Sequence, residues 1–126
     1  MDRGFVAVSF GTSVPEARRA VTAVEDALRR SAGDCEFVRA FTSPTIRRIL
    51  AKRGEEVPSL PEALEQLRAR GVRRAAVQPT HLLYGFEYDR LRAEAEALSG
   101  GFDALTVGRP LLADTADLRQ FAAGLD

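Results

Sequence analysis

The residues best equipped for chemistry gather in one stretch, Pro79 to Arg90, which reads PTHLLYGFEYDR. It holds the only histidine, His81, both tyrosines, Tyr84 and Tyr88, a glycine pivot at Gly85, and Glu87. An imidazole offers a nitrogen that takes a proton or a metal near neutral pH, and a carboxylate offers oxygen. His81 and Glu87 flank the LLYG turn, so both can serve the space above the end of a preceding strand. Structural roles compete with this one. A lone histidine after a strand commonly serves a local hydrogen bond, and Glu87 near a helix start answers the helix dipole. Tyr84, Tyr88 and Phe86 then act as core or pocket wall.

Two other stretches carry polar groups at strand ends: SFGTS, from Ser9 to Ser13, and RAFTS, from Arg39 to Ser43. In the plain reading SFGTS is a tight turn with Ser13 as helix cap. In the functional reading the amides of a helix N-terminus, with the hydroxyls of Ser9, Thr12 and Ser13, receive carboxylates of an anionic ligand. SFGTS lacks the GxGxxG spacing of a dinucleotide fingerprint, no P-loop is present, and no GxSxG elbow supports a serine hydrolase. One histidine and one cysteine cannot supply the donors of a tightly held structural metal from a single chain, which leaves a transient or shared metal site.

The elements that must position these residues alternate. Gly4 to Phe10, Glu36 to Phe41, Ala75 to Gln78 and Ala104 to Val107 read as strands. A capping box, Ser13 with Glu16, starts a helix whose apolar stripe is Ala17, Ala20, Val21, Val24, Ala27 and Leu28. Thr42, Ser43 and Pro44 start a second helix with Ile46, Ile49 and Leu50 inward, stopped at Gly54. Ser59 with Glu62 starts a third, carried by Leu60, Ala63, Leu64 and Leu67 to Gly71. Phe86 to Leu98 is a helix with Leu91, Ala95 and Leu98 inward, ended by Gly100 and Gly101, and Asp114 to Phe121 is the last helix. Regular alternation of this kind predicts right-handed crossovers and an α/β fold, a four-stranded parallel doubly wound sheet in flavodoxin-like layout, covered on both faces. PTHLLYGFEYDR then falls where open parallel sheets place their ligand crevices.

With 126 residues and 45% hydrophobic content, one domain over 1–126 is the expectation. Eighteen basic side chains cancel eighteen acidic ones, so no global field draws the chain to nucleic acid or to an anionic membrane. The pairs Arg18 Arg19, Arg29 Arg30, Arg47 Arg48 and Arg73 Arg74 read as solvated helix faces and ends. The single cysteine, Cys35, excludes an internal disulfide and reads as inert. No apolar run approaches the roughly 20 residues that span a bilayer, and a cytoplasmic protein is expected.

VSFGTS, then RAFTS followed by PTIRRIL, then VQPTHLLYGFEYDRL and finally VGRPLL, in this order, resemble the amino-terminal half of the anaerobic cobalt chelatases, the sirohydrochlorin cobaltochelatase family of vitamin B12 synthesis. The resemblance runs from Val8 to about Leu112. It implies a class II chelatase, working without ATP and with no tightly bound cofactor, that inserts Co2+, with Ni2+ and Fe2+ as alternatives, into the tetrapyrrole sirohydrochlorin. It also implies two similar α/β lobes around a cleft where histidines and a glutamate bind the metal and remove pyrrole protons.

On this pattern Glu87, within HLLYGFEY, is the metal-binding and catalytic glutamate, and His81 accompanies it. Ser9, Gly11, Thr12, Ser13, Thr42 and Ser43 would receive the macrocycle's carboxylates, with Tyr84 and Phe86 as the apolar floor. The family's main histidines lie in the other lobe, and at the position of its HG turn this chain offers Ser9, Phe10 and Gly11. A second lobe of a longer protein, or a homodimer partner, would supply them. The first is favoured, since the chain stops directly after a helix at Gly124, Leu125 and Asp126. The alternative function is a non-catalytic tetrapyrrole- or metal-binding module of the same fold.

Overall fold

The computed structural model describes residues 2–80 and 85–108, the side chains of 85–87 excepted. In chain order the elements are β1 (Arg3–Ser9), α1 (Pro15–Ala32), β2 (Glu36–Phe41), α2 (Pro44–Lys52), α3 (Leu60–Ala69), β3 (Arg74–Pro79), α4 (Gly85–Leu98) and β4 (Ala104–Val107), with a short 3-10 turn, Ser99–Gly101, before β4. The strands lie in the order β2-β1-β3-β4, and every neighbouring pair is parallel. This is the expected doubly wound α/β sheet. The chain steps from β1 outward to β2 and returns past β1 to β3, so strand order reverses between β1 and β3, where such sheets open a crevice beyond their carboxyl ends.

Alternation along each strand sorts the core into two sides. Val6 and Val8 of β1, Val38 and Ala40 of β2, and Ala75 and Val77 of β3 pack with Leu60, Ala63, Leu64 and Leu67 of α3 and Leu91 and Ala95 of α4. Burying each such leucine contributes about 2 kcal/mol relative to leaving it in water. A Cβ at Gly4 would stand 3.0 Å from methyl groups of Leu67 and Val72, which would have to give way to admit it. The alternate residues of β2 meet α1. The guanidinium of Arg29 lies 4.9 Å from the Phe37 ring centre and that of Arg18 lies 5.4 Å from that of Phe41, while Phe5 stacks on Phe37 at 5.6 Å. A smaller cluster of Val21, Phe41, Leu50 and Val57 seals the join between α1, β2 and α2.

Ser59 caps α3 as expected: its hydroxyl accepts from the Glu62 amide, and the Glu62 carboxylate accepts from the Ser59 amide. Ser43 likewise caps α2, accepting from the Ile46 amide, and Gly54, just after that helix, takes a positive φ. The expected cap of α1 is not formed. Pro15 opens the helix, Val14 is its N-cap, and no side chain bonds the free amides there. A proline at the first position brings a helical φ and one fewer orphan donor, so the helix starts two residues after Ser13. The stripe of α1 also differs. Ala20 is exposed, and Glu25 is buried between Val21 and Leu28 because a guanidinium on β2 waits opposite it. Leu98, expected inward, is 37% exposed. The expected helix Asp114 to Phe121 lies outside the described residues.

Candidate functional site

The carboxyl ends of β1, β2 and β3 are stitched together by main-chain bonds that outlast the strands. The Thr42 amide donates to the Ser9 carbonyl at 2.8 Å, the Ser43 amide to the Phe10 carbonyl at 3.1 Å, and the Thr80 amide to the Val8 carbonyl at 2.8 Å. The hydroxyls of Ser9 and Thr80, both fully buried, meet at 2.7 Å across the point where strand order reverses. Gly11 follows with φ near +103°, and a Cβ there would lie 2.8 Å from the Phe41 ring, so no other residue fits without strain. Its requirement for glycine is met by the backbone alone.

The other polar residues of the two strand-end stretches are also engaged locally. Thr12 Oγ1 accepts from the Val14 amide at 3.1 Å, and the Ser13 carbonyl accepts from Arg53 Nη1 at 3.0 Å. Ser43 is occupied as the α2 cap. Thr42 Oγ1, by contrast, is buried with no hydrogen-bond partner among the described residues. In α4 the backbone carries Phe86 and Glu87 in the first turn, one turn before Arg90 and Leu91. His81 and Tyr84 lie outside the described residues. Tyr88 is half-buried against the core side of α3 and α4, the structural role open to it from sequence.

Beside these strand ends lies a cleft of about 310 Å³ between the N-terminal turns of α2 and α3 and the middle of α4, with Phe10, Thr42, Arg47, Ser59, Arg90 and Leu91 on its walls. Arg47 was not visible as a cleft residue in the sequence, where it reads as solvated surface. Its side chain is only 26% exposed, Nη1 stands 3.4 Å from Glu62, and Nε is buried with no acceptor among the described residues. The one available signal is its place in PTIRRIL, a single turn after the Pro44 start. A larger hollow of about 730 Å³ runs along Arg3, Phe5, Cys35, Ala76 and Ala104, from the opposite ends of the strands. Size favours that hollow, but the convergence of hydroxyls, guanidiniums and two helix N-termini favours the smaller cleft, at the end of the sheet where crevices form. Cys35 in the hollow is half-buried, and burial pushes its thiol up, which fits an inert cysteine.

The scaffold behind the cleft is held by charges. Arg18 grips Glu55 with two bonds of 2.9 and 2.6 Å, which hold the Glu55 carboxyl below its ordinary value. Arg39 reaches Glu55 at 3.7 Å and Glu25 at 2.9 Å. The Glu25 contact is close but off the hydrogen-bond direction, so among the described residues both of its buried oxygens lack a bonded donor, and desolvation pushes its carboxyl up against the pull of Arg39 and Arg18. Arg18, also expected on a solvated face, is therefore a tie between α1 and the loop before α3.

The family model described as cobalt chelatase (CbiK) matches residues 3–126. The chain belongs to that family. It is 35% identical over 127 residues to the sirohydrochlorin cobaltochelatase of Salmonella typhimurium, with 99% of this chain and 48% of that protein covered. It is 32% identical over 125 residues to the sirohydrochlorin cobaltochelatase CbiKC of Nitratidesulfovibrio vulgaris, with 98% and 44% covered. The chain thus spans about half the length of the chelatase relatives it matches. Among the described residues no group of three or more His, Cys, Asp or Glu is placed to hold a metal ion, and no helix is long and apolar enough to cross a membrane.

Proposed function

We propose that this chain forms one wall of a chelatase site that inserts Co2+ into sirohydrochlorin without ATP, a step of cobalamin biosynthesis, in the cytoplasm. The observation that carries the reading is the family match over residues 3–126, joined to a polar cleft at the strand ends beside the helix that bears Glu87. Both relatives named above are sirohydrochlorin cobaltochelatases, which supports the choice of macrocycle and metal.

Metal insertion breaks two pyrrole N–H bonds and forms metal–nitrogen bonds in their place, so the site must take up two protons while the divalent ion enters. Glu87 is assigned the carboxylate that meets the metal and accepts a proton, with His81 as its companion base. Carboxylate and imidazole donors suit Co2+ and also Ni2+ or Fe2+, so ligand type alone does not choose among them. The opposite wall, with further histidines, comes from a second lobe or a second copy of the chain. No resident cofactor takes part, because the metal is a substrate.

The test is insertion by the chain completed with its opposite wall, joined to the second lobe or paired with a second copy, followed by the absorbance change of sirohydrochlorin on adding Co2+. Conversion to the cobalt complex faster than in protein-free solution supports the proposal. Binding of the macrocycle without conversion would turn the reading to a carrier module, and neither binding nor conversion would remove it.

A further inference from the structure

We propose that the cleft between α2, α3 and α4 is a carboxylate subsite in which Arg47 and Arg90 hold acidic side arms on the rim of the tetrapyrrole. This rests on the tetrapyrrole reading above and names a part of the site that the strand-end hydroxyls do not supply. Sequence assigned the carboxylates to those hydroxyls, yet Ser9 is bonded to Thr80, Thr12 to the Val14 amide and Ser43 to the Ile46 amide. The donors in the cleft without an acceptor among the described residues are different ones: Thr42 Oγ1 and Arg47 Nε, both buried atoms.

Both of these atoms lie beneath the cleft surface, so the groups that an anion entering the cleft meets are the terminal nitrogens of Arg47 and Arg90. The cleft wall carries two guanidiniums, Arg47 and Arg90, each held only loosely by a carboxylate at 3.4 Å, Glu62 and Glu94 respectively. The N-terminal ends of α2 and α3 point their positive dipole ends at the same space. Pro44 and Pro61 remove amide donors from those first turns, so the helix ends supply field and the arginines supply the hydrogen bonds. A planar guanidinium matches a carboxylate with two parallel bonds, which a hydroxyl cannot do.

The size agrees. At about 310 Å³ the space takes acidic arms at one edge of a macrocycle rather than the ring itself. Arg90 sits one helical turn after Glu87, so an arm fixed here sets the ring edge along the helix that carries the proposed metal-binding carboxylate.

The experiment is an absorbance titration of the chain with sirohydrochlorin and, in parallel, with the same macrocycle whose rim carboxylates have been converted to neutral amides. Arg47→Gln with Arg90→Gln is expected to weaken binding of the acidic macrocycle about 100-fold, roughly tenfold for each charge-assisted contact, and to leave the neutral one unchanged. Arg47→Lys keeps the charge without the fork and is expected to fall between. Arg90→Gln alone, at a side chain 77% exposed, gives a variant that disturbs no core packing if Arg47→Gln unsettles α2. Undiminished binding of the acidic macrocycle by the double variant, or equal loss for both macrocycles, would overturn the subsite while leaving the chelatase reading intact. Failure of the unsubstituted chain to bind either macrocycle would overturn the tetrapyrrole reading and the subsite with it.

Discussion

Ser9 and Thr80 are separated by 71 residues, yet their hydroxyl oxygens lie 2.7 Å apart at the switch between β1 and β3. The bond closes the floor of the crevice at the point where the two halves of the sheet diverge. Ser9→Ala removes one partner and is expected to cost about 1 kcal/mol of stability. Thr80→Val is expected to cost a similar amount, and the double variant less than the sum of the two, by roughly 0.5–1 kcal/mol. Urea unfolding of the four proteins measures this coupling, and strict additivity would show that the two hydroxyls act independently.

Gly11→Ala tests whether the first turn of the SFGTS stretch is fixed by backbone geometry. The left-handed φ and the Phe41 ring oppose a methyl group together, so a loss on the order of 2–3 kcal/mol is expected. Thermal unfolding reads it directly. An unchanged midpoint would mean that the loop relaxes away from Phe41.

Glu25 and Glu55 should pull stability in opposite directions with pH. Glu25 has its folded pKa raised above the ordinary 4.5, chiefly by burial, with Arg39, Arg18 and Arg29 opposing and Asp26 adding to the rise. Between the unfolded and folded values the folded state binds more protons, so stability falls as pH rises through that window. Relative to Glu25→Gln, the unsubstituted chain is therefore expected to lose stability as pH rises above about 4.5. Glu55 has its folded pKa lowered, chiefly by the hydrogen bonds from Arg18. Its contribution is present above the unfolded value and is lost as pH falls from about 4.5 through the folded one, a loss that Glu55→Gln should not show. Denaturant midpoints of the three proteins between pH 3 and 8 decide the signs, and parallel pH profiles would contradict them.

What sequence makes legible here is what neighbours along the chain determine. Glu36–Phe41 and Ala104–Val107 emerge as strands at their expected limits from their local runs of β-formers, although their partners lie on other strands, and the Ser59 and Glu62 box forms as written because both of its groups lie within one turn. The start of α1 is misjudged from the same local information, since Pro15 competes with the Ser13 box and prevails. Burial of Glu25 depends on Arg39 of another element, so the apolar stripe of α1 cannot reveal it. Arg47 reads as surface for the same reason: the walls that half-bury it come from α3 and α4. The family resemblance is legible in the motifs and is matched by the comparison over residues 3–126. Of the proposed site, the sequence places Glu87 on a helix start, and α4 carries it there, while His81 and Tyr84 lie outside the described residues.

The proposed chemistry is tested most directly at Glu87. Initial rates of Co2+ insertion into sirohydrochlorin should be measured for the protein and for Glu87→Ala, with macrocycle binding titrated alongside. The expected result is a rate lower by roughly 100-fold or more, with binding of the free macrocycle retained, as for loss of a group that meets the metal and takes a proton. Equal insertion rates for the two proteins would contradict the assignment of Glu87 as the residue at the centre of the site.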